Sequence, residues 1–321
     1  MISTSRTASS PPEPALILHG GAGSWGAAKI EPGLCGLRAA AKRGANLLLE
    51  GASALDAVVA VVELLEDDPL FNAGTGAALN LDGLVEMDAA VMTSAGIAGG
   101  VCGLQDVRHP VAVARAVMEH TDHVLLLGEG AQRFARAMGF PPYDPRTPDR
   151  IEAWRERRDA LLASGDDWLP KMRSLLERFP ELRRGTVGAA AVDRHGALAA
   201  ATSTGGVVLK LPGRLGDSAI PGAGNYANHA GASSATGRGE FALRTQATRR
   251  VAEAIEAGAE AGEAVAQVVR WVADQTGPDI GLIAVDHGGR VGAAHATEHM
   301  PHAWWTPREG VCANAVGTRI R

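Results

Sequence analysis

Aromatic residues are scarce in this 321-residue chain, 4% of the total, while glycine occurs 40 times. That balance argues against stacking platforms and favours tight turns and close approach of backbone to a ligand. Cysteine is nearly absent too: Cys35, Cys102 and Cys312 are odd in number, widely spaced and free of any CxxC pair. A disulfide frame is thereby excluded, and thiols of a reducing compartment are expected. No apolar run reaches the length of a membrane span, and the Ser, Thr and Pro-rich stretch Met1–Pro14 lacks the apolar core of a signal peptide. A disordered tail over 1–14 on a cytoplasmic protein is the expectation. No long run of one charge sign exists and the formal net charge is -5, which argues against nucleic acid or an anionic membrane and leaves a small molecule as the partner. Neither a Gly-x-Ser-x-Gly elbow nor a Gly-Lys-Ser/Thr phosphate loop is present.

What is present is a core. Hydrophobic residues make up 46% of the chain, enough for one large or two small domains. A buried strand at Ala15–Leu18 runs into His19-Gly20-Gly21-Ala22-Gly23, and helices are expected over Pro32–Glu50 and, from an N-cap at Ser53, through Leu65. Asp82-Gly83 reads as a hairpin turn between Ala77–Asn80 and Leu84–Met92. Further expectations are strands around Gly99–Leu104, a helix from Pro110 to Glu119, a short buried segment at Val124–Leu127 and a helix over Gly128–Met138. Residues 140–185, with Pro breaks and mixed charge, read as a mobile connection with room for a helical piece at Trp168–Phe179. Strands Thr186–Val192 and Ala197–Thr204, glycine-rich loops over Gly205–Gly239, helices at Glu240–Ala257 and Ala261–Thr276 and strands at Ile280–Val285 and Val291–Ala296 complete the chain. Strands apolar on both faces predict stacked sheets covered by helices, a layered α/β/β/α domain.

Three motifs point elsewhere. Gly21-Ala22-Gly23-Ser24-Trp25-Gly26 matches a dinucleotide fingerprint, but that site needs a second parallel strand ending in an acid about twenty residues on, where the pattern is helical. His295-Ala296-Thr297-Glu298-His299 matches an inverted zinc-protease pattern, but Gly292 and Pro301 argue against the single helix it requires. Glu66-Asp67-Asp68 before Pro69 reads as a solvated helix end.

Thr186 is different. It opens a buried strand directly after the charged connection, in Arg184-Gly185-Thr186-Val187-Gly188, where a chain could cut itself and expose an N-terminal threonine serving as nucleophile and base. Nearby lie Thr202-Ser203-Thr204-Gly205-Gly206, Gly213-Arg214-Leu215-Gly216-Asp217-Ser218 and Thr236-Gly237. Singly these are ordinary; together they supply hydroxyls and opposite charges on a glycine-rich loop. An α-amino-acid zwitterion needs that combination, because Arg binds a carboxylate through two donors and Asp receives an ammonium.

Those segments, with Phe71-Asn72-Ala73-Gly74-Thr75-Gly76, Glu86-Met87-Asp88-Ala89-Ala90 and Gly222-Ala223-Gly224-Asn225-Tyr226-Ala227, resemble the plant-type L-asparaginase and isoaspartyl peptidase family of N-terminal nucleophile (Ntn) hydrolases. The resemblance covers nearly all of the chain except the tail and the connection. It implies a four-layer αββα sandwich, self-cleavage between Gly185 and Thr186 into a 15–185 portion and a 186–321 portion that remain one domain, and a homodimer of cleaved protomers. It assigns Thr186 as nucleophile with its freed α-amine as base and Thr204 as the hydroxyl that tunes it. Arg214 and Asp217 would grip the substrate's α-carboxylate and α-ammonium, with Asn72, Thr236 and Gly237 lining the oxyanion hole. No cofactor is implied beyond a structural sodium ion on the backbone of Leu65, Glu66, Asp68, Phe71, Ala73 and Thr75. The apolar Val207-Val208-Leu209 and the basic Arg183-Arg184 depart from the family pattern. If the former borders the leaving group, β-aspartyl-leucine is favoured over charged dipeptides. The expected reaction is hydrolysis of a β-aspartyl amide, in asparagine or an isoaspartyl dipeptide. The alternatives are a glycosylasparaginase and a non-catalytic amino-acid or dinucleotide-binding protein.

Overall fold

A computed structural model describes residues 12–163 and 186–320. The first strand, β1 (Ala15–His19), feeds a glycine turn and then α1 (Ala27–Glu50), which starts five residues before the expected Pro32. Pro32 lies inside the helix, as its sixth residue, where its missing N–H removes one bond of the helical ladder. α2 (Ala54–Asp67) starts where expected: the Ser53 hydroxyl accepts from Asp56 N–H and the Asp56 carboxylate accepts from Ser53 N–H, a reciprocal cap.

An eight-stranded sheet follows from β1, β2 (Met87–Thr93), β3 (Ala98–Leu104), β4 (Leu125–Leu127), β5 (Val187–Val192), β6 (Leu198–Thr204), β11 (His302–Thr306) and β12 (Gly310–Asn314). Its order is β12-β11-β1-β5-β6-β2-β3-β4. The second sheet has the order β13-β10-β9-β8-β7, from β7 (Asn225–Ala227), β8 (Gly231–Gly237), β9 (Ile280–Asp286), β10 (Val291–His295) and β13 (Thr318–Arg319).

Three apolar cores separate four layers. Residues of α1, α2 and α3 (Pro110–His120) pack on the large sheet through Leu37, Val58, Val62, Val111 and Val117. The second core joins the small sheet to α6 (Gly239–Thr245), α7 (Ala247–Glu256) and α8 (Ala261–Thr276). Between the sheets lie Ala15, Ile17, Ala190, Val192 and Ala200 of one against Ala232, Ile283 and Val285 of the other. The arrangement is the αββα sandwich that the doubly apolar strands predict.

Several elements differ from expectation. The helix expected over 240–257 is two, because Gln246 takes a left-handed φ of 51°. β7 and β8 lie within what reads as a run of loops. β4 is an exposed edge strand, with Leu127 75% exposed, where a buried segment was expected. α4 (Gly128–Ala137) matches its expected helix, whereas α5 (Pro148–Ala163) falls in the stretch expected to be a connection. Ile151 and Trp154 of α5 pack on Leu79, Val85 and Met87. The tail over 1–11, the helical piece at 168–179 and the Gly185 side of the cleavage bond lie outside the described residues.

Candidate active site

Thr186 immediately precedes β5, a central strand of the large sheet, and is 4% exposed. Val187 pairs with Ser203 and Gly188 with Thr202, so continuing that register sets Thr186 opposite Thr204. Thr204 in turn pairs with Asp88 of β2. Side chains alternate along strands, which makes Thr186, Thr204 and Asp88 a row on the face turned toward the second sheet. Ser218 completes the surroundings, its Oγ 3.5 Å from Thr186 Oγ1.

The turn after β6 is pinned from outside. Asn72 Nδ2 donates to the Gly206 carbonyl at 2.7 Å, Asn72 Oδ1 accepts from Ala78 N–H, and Gly205 N–H donates to the Asn72 carbonyl. Thr204 Oγ1 accepts from Gly206 N–H at 2.9 Å. Asn72 is therefore brought to the site's edge as the residue that shapes this turn. Val208 and Leu209 are buried beyond it, with Leu209 N–H donating to the Leu79 carbonyl. Val207, before them, is only half-buried.

Lys210 then passes beneath the loop, 1% exposed, and Nζ donates to the Glu86 carbonyl. Burial pushes its pKa down. The Glu86 carboxylate accepts from Gly213 N–H and Asp88 Oδ2 accepts from Gly216 N–H, so two acids of β2 and its approach hold the loop that carries Arg214 and Asp217. Arg214 Nε and Nη2 both donate to Glu240 Oε1, at 3.0 and 2.8 Å. Three glycines crowd the guanidinium: a Cβ on Gly206 or Gly216 would stand 3.1 Å from Nη1, and one on Gly239 would stand 3.2 Å from Nη2. The same Cβ on Gly239 would lie 2.7 Å from Asp217 Oδ1. Arginine and aspartate thus share one glycine-walled space, and Asp217 is the neighbour in sequence of Ser218 beside Thr186.

Asp217 is 4% exposed, and burial pushes its pKa up to about 7, partly offset by its own backbone N–H and by Arg214. A carboxyl at that value stands ready to ionise against an incoming ammonium. At the other rim, Thr236 Oγ1 accepts from Ala22 N–H, and Gly237 at φ 114° lies against the Asp279 carbonyl, 2.4 Å from where a Cβ would fall. No side chain but hydrogen fits there. A cavity of about 450 Å³ lined by Asp88, Cys102, Leu127, Gln132 and Leu215 touches Arg214 but not Thr186.

Sequence reasoning missed Ser218 as a neighbour of Thr186 and Glu240 as the partner of Arg214. The first stood in the quoted motif; the second, twenty-six residues from Arg214, carried no local signal.

Glu66, expected on a solvated helix end, is instead fully buried and accepts from Val111 N–H, while the other two rival motifs dissolve. β1 is antiparallel to both neighbours, β5 and β11, so Gly21–Gly26 lacks the parallel strand of a dinucleotide site. His295 ends β10 while His299 bridges to Gly23, and no cluster of three or more metal-ligating His, Cys, Asp or Glu occurs among the described residues. Nor is any described helix long and apolar enough to cross a membrane. The Leu65–Thr75 carbonyls suit a hard alkali cation in part. Pro69 has no N–H to offer the Leu65 carbonyl at the end of α2, leaving that oxygen for a cation. The Phe71 carbonyl already receives Arg150 Nη2 at 3.0 Å, the Glu66 carbonyl Thr75 N–H at 2.7 Å and the Asp68 carbonyl Phe71 N–H at 3.1 Å.

A family model described as Asparaginase matches residues 12–311. The plant-type L-asparaginase of Pyrococcus furiosus is 48% identical over 295 residues, covering 90% of this chain and 95% of that protein. The isoaspartyl peptidase of Salmonella typhimurium is 43% identical over 311 residues, 92% of this chain and 97% of its own length. The isoaspartyl peptidase/L-asparaginase of Danio rerio is 37% identical over 302 residues, 92% and 93% of the two chains. Matched by that model and by these relatives along most of its length, this chain belongs to the asparaginase family.

Proposed function

We propose that this enzyme hydrolyses β-aspartyl amide bonds, in L-asparagine and isoaspartyl dipeptides, with Thr186 as nucleophile after the chain cuts itself between Gly185 and Thr186. The observation that carries the reading is the convergence of Thr186, Thr204 and Ser218 on one side and Arg214 and Asp217 on the other, joined by the Asp217-Ser218 bond. The substrate's α-carboxylate takes the Arg214 fork and its α-ammonium takes ionised Asp217. That grip turns the β-carbonyl toward Thr186.

Thr186 Oγ attacks the β-carbonyl carbon while its proton passes to the Thr186 α-amine, whose ordinary pKa of about 7.7 to 8.0 suits a base near neutrality. The carbonyl oxygen becomes an oxyanion held by Thr236, Gly237 and Asn72. The C–N bond then breaks, the leaving amine takes the proton, and a β-aspartyl ester remains on Thr186. Water, deprotonated by the same amine, hydrolyses the ester and frees aspartate. No cofactor enters these steps. We assign a sodium ion a structural role only, at the carbonyls of Leu65, Glu66, Asp68, Phe71, Ala73 and Thr75, and take the working form to be a homodimer of cleaved protomers in the cytoplasm.

The test joins mass spectrometry to a substrate panel. The wild type should split into pieces of 185 and 136 residues, and Thr186→Ala should stay whole and inactive. The cleaved enzyme should release aspartate from asparagine and β-aspartyl-leucine but not from α-aspartyl-leucine, whose scissile carbonyl replaces the carboxylate Arg214 needs. Turnover of glycosylated asparagine alone would move the assignment to a glycosylasparaginase, and an intact, inactive wild type would favour a binding protein.

A further inference from the structure

Lysine occurs only at positions 29, 42, 171 and 210 of the chain. Lys29 and Lys42 stand exposed on α1, whereas Lys210 is 1% exposed beneath the loop that carries Arg214 and Asp217. An ammonium carries three N–H donors. Nζ gives one to the Glu86 carbonyl at 2.6 Å, and no described carboxylate forms an ion pair with it. A charge taken out of water is expensive unless an opposite charge completes it. The reaction proposed above gives this cation no part.

Its place suggests the missing anion. Gly206, at φ 73°, stands where two cationic heads converge: a Cβ there would fall 3.0 Å from Lys210 Nζ and 3.1 Å from Arg214 Nη1. Arg214 is already balanced, because Nε and Nη2 both donate to Glu240 Oε1. Nη1, on the Gly206 side, takes no described carboxylate. Glu86 and Asp88 attract the Lys210 ammonium and Arg214 repels it, while both acids are held by backbone N–H groups, of Gly213 for Glu86 and of Gly103 and Gly216 for Asp88. Without Lys210, an arriving α-carboxylate would meet one guanidinium among Glu86, Asp88 and Glu240. With it, two positive charges meet at Gly206.

We propose that Lys210 is a specificity-determining residue of the hydrolase, the second positive charge that draws the substrate's α-carboxylate to Arg214. This rests on the proposed grip of Arg214 on that carboxylate. Lysine suits the role: its ammonium is a compact point charge that needs no fixed fork, and in a buried site its attraction reaches an anion it does not touch. Arginine orients the carboxylate and lysine supplies the field. The lysine therefore acts on binding, and only on the anionic half of the substrate. A strut that merely held the loop would serve both halves alike, because Arg214 and Asp217 ride on the same loop.

Lys210→Met keeps an unbranched stem and removes the charge, and two compounds divide asparagine between them. Succinamate lacks the α-ammonium; β-alaninamide lacks the α-carboxylate. In the cleaved variant, KM for asparagine and the inhibition constant of succinamate should each rise at least about tenfold, with kcat within about threefold of wild type. The inhibition constant of β-alaninamide should hold or fall, since its lone cation is no longer repelled. Equal rises for both compounds, unchanged constants throughout, or a variant that neither folds nor cuts itself would make Lys210 a structural tie and overturn the proposal. The wild type supplies a test free of refolding: with lysine labelled, the buried 15Nζ signal should shift on adding succinamate and not on adding β-alaninamide. A signal that ignores succinamate, or answers both compounds alike, overturns it. A wild type that hydrolyses neither asparagine nor β-aspartyl-leucine would sink the proposed function, whereas an active wild type with an indifferent Lys210→Met would sink this inference alone.

Discussion

Asp217 is held at a cost to the fold, and the cost can be measured. Its pKa is raised from the ordinary 3.8 to about 7, chiefly by burial. The sign follows from proton uptake: the unfolded chain ionises this group near pH 4, whereas the folded chain resists until about pH 7. The group's contribution to stability is therefore complete below pH 4 and is lost as pH rises through 7. At about 1.4 kcal/mol per pH unit, the loss reaches roughly 4 kcal/mol at pH 8 but only about 1 to 2 kcal/mol at pH 5. Asp217→Asn removes this cost while destroying the ammonium site. Placed in a Thr186→Ala background, which keeps the chain in one piece, it should be more stable relative to its parent at pH 8 than at pH 5 by about 2 to 3 kcal/mol. Denaturant unfolding at the two pH values reads that difference directly, because every other titrating group is common to both proteins. A difference that does not change with pH, or that falls as pH rises, would refute the buried-carboxyl argument. The same variant in the cleavable chain should be inactive, so a residue that weakens the fold near neutral pH would be the one the reaction requires.

Three further outcomes follow from the geometry. Gly188→Ala should destabilise by at least ~1 to 3 kcal/mol in denaturant unfolding, since the added methyl meets Ser234 Oγ at 2.0 Å in a tightly packed layer; unchanged stability would mean that the sheets can part. Glu240→Gln should raise KM for asparagine about five- to tenfold with little change in kcat, because Glu240 holds two of the Arg214 donors in place, and steady-state kinetics at fixed pH will show it. Exchanging sodium for a bulky organic cation should lower the melting temperature by a few degrees, and Arg150→Gln should enlarge that dependence, because Arg150 supplies positive charge at the Phe71 carbonyl.

The parts of the fold legible in the sequence were those with strong local chemistry. The Ser53 cap, the Ala261–Thr276 helix and the strand before His19 each carry their own start signals or periodicity. β8 did not: Gly231-Ala232-Ser233-Ser234-Ala235-Thr236-Gly237 has a single β-branched residue and no aromatic. Its strand character comes from being sandwiched, with small side chains facing β5 on one side and helices on the other. Gln246 likewise looks like any helix residue, yet it stands exposed between two helices with a left-handed φ of 51°. Of the candidate site, Thr186, Thr204, Arg214 and Asp217 were readable through motif order. Glu240, Ser218 and the hydrogen-bonded chain His19–Ser234–Thr202 were not, because each meets a residue distant in sequence that only the folded chain brings close.

The order of strands in the large sheet would tie the two products of the proposed cleavage together like interlaced fingers. β1 from the first piece lies between β11 and β5 of the second, and β6 of the second lies against β2 of the first. Neither piece can leave without tearing ladders on both of its sides. Assembly must then come before scission, and it can happen only once per molecule. A cut protein that has melted would have to find two separate partners and thread them back in alternation, a search the newly made single chain never faces. For the mature enzyme, survival in heat is a matter of how slowly it opens, and a thermal scan run at two speeds should return two different midpoints.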